Sequence, residues 1–515
     1  MQTIVDEETV PGSVRAAQLA LRSGRYDDAI ALLAGCEDWA APYAERGVLL
    51  KAETIGRRDA IAALSYLTEV DDVFSTLEGR FGRDIEAGRF HAAVRDLDAA
   101  AVRYGLARRL ADSVPNGRET MAYHDVRMRW FRGDCDPAAP EIAIALRHPD
   151  PSIVAATRAY RGWLNAGRGD YAQQVVDLCL AVRAVRGPDG DPIDLAMLAS
   201  STHALARISF EIADARGIEA AREAFDAMSW TADVRAEQFM TMRALGWDAF
   251  MRGESGRAQW TFKEAREIAP SEPWRVMAHL DRAYVARAGG NEVCASAELA
   301  EADRLAQDVR WESSSGEERQ VLVPLASLHA ALDPARAQRY AALHARLGGA
   351  NANRVLTMAG ELRARAIGKY AQALIDQTLG RRDAAVPRLR EAYAIFDEAG
   401  HHYRAMLAAA SLAELTGDVG WRAASIRHAN RYPGCPLVSI ADEAIKREEA
   451  MPRQLSPLQR QIARALWAGD EPDELCRRFS RNSSTIQRQI AAVYGAFGVV
   501  SRTQLVDEAR RRGLR

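Results

Sequence analysis

From about residue 13 to residue 430 the chain reads as helix almost without interruption. Ala, Leu, Arg and Glu dominate, β-branched runs are scarce, and short segments holding Gly, Pro or Asp punctuate the pattern. The loop candidates are Pro115-Asn116-Gly117, Gly187 to Pro192, Glu312 to Gly316 and Gly348 to Asn351. Alternation of apolar and polar residues at period two persists nowhere, so an all-α fold is expected. At 515 residues the chain exceeds one ordinary core and must either divide or repeat a small unit.

Self-similarity points to repetition. In LGWDAFMRGESGRAQWTFKEAREIAP, Gly246 and Ala258 let two antiparallel helices approach closely, Phe262 fills the groove toward the next pair, and Pro270 ends the second helix. Leu245, Gly246, Ala249, Ala258, Phe262, Ala265 and Pro270 fall where the 34-residue tetratricopeptide repeat places its packing residues, and the unit resembles that family. Weaker echoes start a second helix with Gly-x-aromatic: Gly24-Arg25-Tyr26, Gly88-Arg89-Phe90 and Gly169-Asp170-Tyr171, with Gly380 to Ala385 carrying Arg382 at the aromatic position. The expectation is a tetratricopeptide-like α-solenoid with room for up to about twelve helix pairs, whose concave side holds a protein, peptide or small-molecule ligand.

The array should end near Asn430, because Pro433-Gly434-Cys435-Pro436 cannot continue a helix. The expected organisation is a flexible tail over 1–12, the repeat domain over 13–430, a linker over 431–454 and a terminal domain over 455–515. That last stretch holds eleven Arg, no Lys and six acidic residues, a net +5 on a chain whose total is −2, which leaves −7 on the rest. A basic end on an acidic body suits one module that meets phosphate.

The terminal stretch reads as four short helices. Ser456 caps the first, with Pro457 at its first position, and Gly469 ends it. Asp473 to Phe479 forms the second. Asn482 caps the third, which carries Ile486, Ile490, Val493, Tyr494 and Phe497 at helical spacing, and Gly498 closes it. Ser501 caps the fourth. Two helices joined by a tight turn, the second with a polar outer face, make a helix-turn-helix.

On Leu455-Ser456-Pro457, Gly469, Thr485-Ile486, Tyr494, Phe497-Gly498-Val499 and Ser501-Arg502-Thr503-Gln504, the segment resembles the LuxR-type DNA-binding domain over about sixty residues without a gap. The resemblance implies a four-helix helix-turn-helix domain that places its third helix in the major groove of double-stranded DNA and often pairs two subunits through its fourth. It implies base reading by Gln487, Arg488 and Ala491, with phosphate contacts from Asn482, Ser484, Thr485, Arg478, Arg481 and Arg502. The sequence departs from that family at Gln487 and Gln489, where Lys and His are usual, at Gly495 and Ala496, where a basic pair is usual, and at Gln459, Gln461, Asp470 and Arg481. Each cation lost near phosphate weakens binding, and a homodimer on two half-sites recovers affinity.

Other classes find no support in the sequence. Gly368-Lys369 is followed by Tyr370 and preceded by Arg363 at the upstream glycine position, so no nucleotide-binding loop is expected. His401 and His402, read as neighbours on one helix, point about 100° apart and are not expected to share a metal. Trp130, Trp163, Trp230, Trp247, Trp260 and Trp311 are expected in core or groove packing. Six scattered cysteines without a C-x-x-C pair suit a reducing compartment, and Met1 to Gly12, with Asp6, Glu7 and Glu8, does not read as a secretory signal. Val321 to Leu332, among the longest apolar stretches, is broken by Pro324 and His329, so no membrane span is expected. The reading is a cytoplasmic, non-enzymatic transcription regulator without a cofactor. Its alternatives are a tetratricopeptide adaptor whose terminal helices bind protein, RNA polymerase among the partners considered, and a peptide-sensing regulator of the quorum type.

Overall fold

The computed structural model describes residues 10–134, 136–187, 192–330, 333–348, 362–438, 451–452, 454–479 and 481–512. The helices run in the order α1 (Val10–Arg22), α2 (Tyr26–Leu32), α3 (Tyr43–Gly56), α4 (Ala60–Glu69), α5 (Leu77–Ala93), α6 (Leu97–Arg108), α7 (Gly117–Arg132), α8 (Pro140–Ala145), α9 (Pro151–Gly167) and α10 (Tyr171–Val185). They continue through α11 (Leu195–Glu211), α12 (Ala215–Asp226), α13 (Arg235–Met251), α14 (Ser255–Glu267), α15 (Glu272–Ala288), α16 (Glu292–Asp308), α17 (Gly316–Arg319), α18 (Leu322–His329) and α19 (Pro334–Arg346). The remainder are α20 (Leu362–Thr378), α21 (Arg382–Glu398), α22 (His402–Thr416), α23 (Val419–Ala429), α24 (Pro457–Ala468), α25 (Pro472–Phe479), α26 (Ser483–Phe497) and α27 (Arg502–Arg511). Among the described residues the extended pairing is an isolated antiparallel bridge between Arg186 and Pro192. The chain is all-α.

Packing divides it into two units, Met1–Phe250 with Glu254–Ala405, and Met251–Gly253 with Met406–Arg515. In the first unit, consecutive helices pack as pairs, α5 on α6, α9 on α10, α11 on α12 and α20 on α21. First helices also touch first helices of the next pair, α1 to α3, α3 to α5, α5 to α7, α7 to α9 and α9 to α11. This is the arrangement of stacked tetratricopeptide-like repeats, in which no pair buries its apolar faces alone.

Two local devices recur. The first is a close approach. A Cβ at Gly246 would lie 2.7 Å from Phe262 Cε1, and one at Gly88 would lie 2.6 Å from Tyr104 Cε1. Each glycine therefore admits an aromatic ring of the partner helix into a space that no other residue leaves open. The second is a three-residue turn: one residue at positive φ, one cap, then the second helix. It appears at Gly169-Asp170-Tyr171 and Gly380-Arg381-Arg382, and also at Arg95-Asp96-Leu97 and Ala213-Asp214-Ala215, where Arg95 (φ 67°) and Ala213 (φ 59°) hold the left-handed conformation without being glycine.

This corrects the reading of Gly88-Arg89-Phe90. These residues lie inside α5 and do not begin a second helix. Gly88 is the counterpart of Gly246, and the turn of that repeat is supplied by Arg95. Gly24 and Gly169, by contrast, precede second helices as expected. The aromatic expectation holds for Trp311, buried with its Nε1 donating to the Ala306 carbonyl, but Trp260 is 61% exposed. His401 precedes α22 instead of lying within it, and faces Glu211 at 3.1 Å. Helix α1 begins at Val10, inside the expected tail. The described part of the expected linker is packed: Tyr432, Cys435 and Met451 are buried.

Far-separated segments also meet within the first unit. Arg404 pairs with Glu211 at 3.2 Å, and Tyr171 meets His401 edge to face at 4.0 Å. Arg243 binds Asp281 through two nitrogens, and Trp247 Nε1 donates to the same carboxylate at 3.2 Å.

Gly246→Ala should lower stability by about 1–3 kcal/mol through overpacking against Phe262, and Ala213→Gly should raise it by about 0.5–1 kcal/mol by relieving the left-handed backbone. Urea titrations followed by circular dichroism would read both signs. Burial also holds His344 down to about 4, and lowers His124 and His329. The unfolded chain takes up these protons below about pH 6.5 while the native chain does not. Stability should therefore fall between pH 6.5 and 4, and the urea midpoint of His344→Leu should decline less over that window.

Candidate nucleic-acid interface

The terminal helices are delimited by side chains that satisfy the free amides of each helix start. Ser456 Oγ accepts from Gln459 N at 3.3 Å, and Gln459 Oε1 accepts from Ser456 N at 2.8 Å, a reciprocal box with Pro457 at the first position of α24. Gly469 closes α24 at φ 120°. Asn482 Oδ1 accepts from Thr485 N at 2.9 Å and from Ser484 Oγ at 3.0 Å, which starts α26. Gly498 ends α26 in the left-handed region, and Ser501 caps α27. Each of these caps and stops lies where the sequence pattern places it.

The four helices enclose a core of their own. Ile462, Leu466, Leu475, Ile486, Ile490, Val493, Phe497, Leu505 and Ala509 are buried in it, and Trp467 meets Phe497 edge to face. Helix α26 therefore has one face committed. The opposite face exposes Ser484, Gln487, Arg488 and Ala491, at the spacing of successive helical turns. Thr485 is half-buried at the edge of that stripe, and Asn482 is exposed at its head.

The flanking cations divide into two sorts. Arg481 and Arg488 are exposed and make no ion pair with a described residue. Arg478, also exposed, pairs with Asp470 at 2.8 Å. Arg502 is engaged more firmly: Nε donates to the Leu466 carbonyl at 2.9 Å and Nη1 meets Glu471 Oε1 at 2.5 Å. Its guanidinium ties α27 to the turn between α24 and α25. Of the nine residues singled out, Arg478, Arg481, Asn482, Ser484, Thr485, Gln487, Arg488 and Ala491 thus lie along the end of α25, the turn and the first half of α26, while Arg502 braces the bundle.

Reading by residue type missed Ser483, Arg477, Ala492 and Gly495, which are exposed on or beside the same segment. Spacing from Arg488 would have found Ala492 and Gly495, one and two turns on. Their small side chains give the second half of this face neither charge nor bulk. Five thiols, Cys36, Cys179, Cys294, Cys435 and Cys476, are free, and among the described residues no group of three or more His, Cys, Asp or Glu is placed to hold a metal ion. No helix among them is long and apolar enough to cross a membrane.

No protein-family model matches the chain, and no curated protein matches it. Among solved structures it is similar to a Rap protein complexed with competence and sporulation factor, at 12% identity and a TM-score of 0.39, over 76% of this chain and 99% of that one. It is also similar to yeast Tom70, at 12% identity and a TM-score of 0.26, over 87% of this chain and 98% of that one.

Arg502→Ala should destabilise the terminal bundle by about 1–3 kcal/mol, since the Leu466 carbonyl and Glu471 lose a charged donor. Amide hydrogen exchange over α24 and α27 would report the loss.

Proposed function

We propose that this protein is a sequence-specific DNA-binding transcription regulator of the LuxR type, with a helical-repeat domain that binds a protein, peptide or small-molecule signal. The observation that carries the reading is the division of α26: Ile486, Ile490, Val493 and Phe497 fill the bundle core, while Gln487, Arg488 and Ala491 form an exposed edge at the capped end. An arginine in that position offers a fork to guanine, a glutamine does the same for adenine, and the amides beside Asn482 favour phosphate. Arg481 and Arg488 supply cations that no carboxylate among the described residues claims. In this reading the chain acts in the cytoplasm as a homodimer on paired half-sites and performs no catalysis.

A second reading is an adaptor whose terminal bundle binds protein, RNA polymerase among the candidates. What favours it is the engagement of Arg478 and Arg502 in internal ion pairs, together with the uncharged Gly495 and Ala496 on α26.

The deciding experiment is a mobility shift with DNA from upstream of the protein's own gene, at two salt concentrations. A specific shift that weakens with salt, and that Arg488→Ala reduces by about 1–3 kcal/mol, is expected. No shift from about 50 mM salt upward, with a protein partner retained on the terminal bundle, would favour the adaptor.

A further inference from the structure

Within the first unit, α1, α3, α5 and α7 touch in succession and border a hollow of about 260 Å³. Leu49 and Leu50 on α3 and Phe81 and Ile85 on α5 give it apolar walls, and the last two are themselves buried. Gly82 belongs to the same wall, where a Cβ would lie 2.5 Å from Leu49 Cδ1. The charged residues of the wall are Glu53, Glu86 and the exposed Arg46, so two carboxylates face one guanidinium. A volume of this size takes one long side chain, not a folded partner.

The two carboxylates come from neighbouring helices and are anchored by arginines that stand outside the hollow. Glu53 Oε1 accepts from Arg57 at 3.0 Å and from Arg89 at 3.3 Å. Arg89 also meets Glu86 at 2.6 Å, and Arg57 also meets Asp194 at 3.6 Å. Two guanidinium groups thus serve three carboxylates, and neither of them lines the hollow. Arg127 acts on Glu86 as well, again without lining it. The arginines fix where Glu53 and Glu86 stand, and the hollow beside them stays open.

These cations do not fully satisfy Glu86. Its Oε2 is buried and accepts no well-formed hydrogen bond from a described residue, although Arg89 lies against it. Burial pushes its carboxyl up to about 7 against the pull of Arg89, with the charge of Glu53 adding to the rise. A carboxylate has about four acceptor positions, so both acids keep capacity for a further donor. What the hollow offers is an apolar slot with acceptors and negative charge in its wall.

We propose that this hollow binds a cationic side chain, a lysine or arginine carried by a peptide ligand of the repeat domain, with its methylene stem on Leu49, Leu50, Phe81 and Ile85 and its charged head at Glu53 and Glu86. The inference rests on the reading of the repeats as a ligand-binding domain, and it names the chemistry that domain recognises. Such side chains lay an apolar stem along apolar surface and keep the head among polar groups, which is the division this wall presents. The head brings charge-assisted hydrogen bonds to the two carboxylates. The body of the chain ahead of the terminal bundle carries a net −7, a field that favours the approach of a basic ligand.

The test is saturation-transfer NMR on the full chain at pH 8 and matched ionic strength, with three probes titrated in turn. They are alanyl-lysyl-alanine blocked at both ends, the same peptide with norleucine in place of lysine, and free 1,5-diaminopentane. Wild type, Glu86→Gln and Gly82→Leu are compared. Saturation is expected to reach the lysine methylenes, with the norleucine peptide binding about tenfold more weakly or not at all. Glu86→Gln should weaken the lysine peptide by about tenfold, and Gly82→Leu, which adds bulk to the wall and keeps every charge, should abolish its binding. Diaminopentane that binds as well as the peptide, with the same dependence on Glu86, keeps the site and moves the cation from a peptide to a free amine. The proposal falls if norleucine matches lysine, a comparison that needs wild type alone and so decides even where a variant fails to fold. It falls equally if folded Glu86→Gln binds the lysine peptide as wild type does, or if no probe receives saturation. A wild-type chain that ignores every probe yet retains a protein partner on its repeats overturns the cation site alone and leaves the ligand-binding reading standing.

Discussion

In two of its helix pairs this chain brings the helices close by withholding one side chain. Gly246 and Gly88 do so opposite Phe262 and Tyr104, and at each place the aromatic ring occupies the space a Cβ would need. The interhelical distance of each pair follows from that contact. Stacking then follows from geometry, because a pair joined in this way presents apolar residues on both flanks and must cover them with its neighbours. The left-handed turn residue and the cap after it set where the second helix starts, so the pairs repeat with little variation in form although their sequences diverge.

Within the helix pairs and between them the protein places charge, not only apolar contact. Asp177 accepts from Arg161 Nε at 3.0 Å and from Asn165 at 2.9 Å, and Arg243 and Trp247 converge on Asp281. Buried pairs of this kind add little net stability, because desolvation offsets much of the attraction, but breaking one is costly. They therefore discriminate against misaligned stacking.

The terminal bundle works by commitment of one face. With Ile486, Ile490, Val493 and Phe497 buried, α26 has no freedom to rotate, and the polar edge bearing Gln487 and Arg488 is presented in one orientation. Caps at Ser456, Asn482 and Ser501 fix where three of the four helices begin. A rigid exposed edge at a capped helix start is the property the proposed regulator needs. The same rigidity would serve a protein partner, and so the chemistry of the edge separates the two readings better than its shape.

Much of this was legible in the residues alone. Helical periodicity, the glycine and proline punctuation and the Ser and Asn caps are local signals, and local signals dictated the all-α class, the helices of the terminal bundle and the buried face of α26. The aromatic partner of Gly246 was equally visible, being sixteen residues away at repeat spacing. Other features depended on the folded chain. Arg95 and Ala213 adopt the glycine-like turn because flanking helices hold them there, and no residue pattern announces it. The partnership of Glu211 with His401 and Arg404 spans about 190 residues, and Arg502 turned out to brace the bundle because the Leu466 carbonyl lies within its reach. Whether a charge is paired, buried or free is decided by which segments the stacking brings together, and for that reason only the tertiary structure could show which arginines brace the fold.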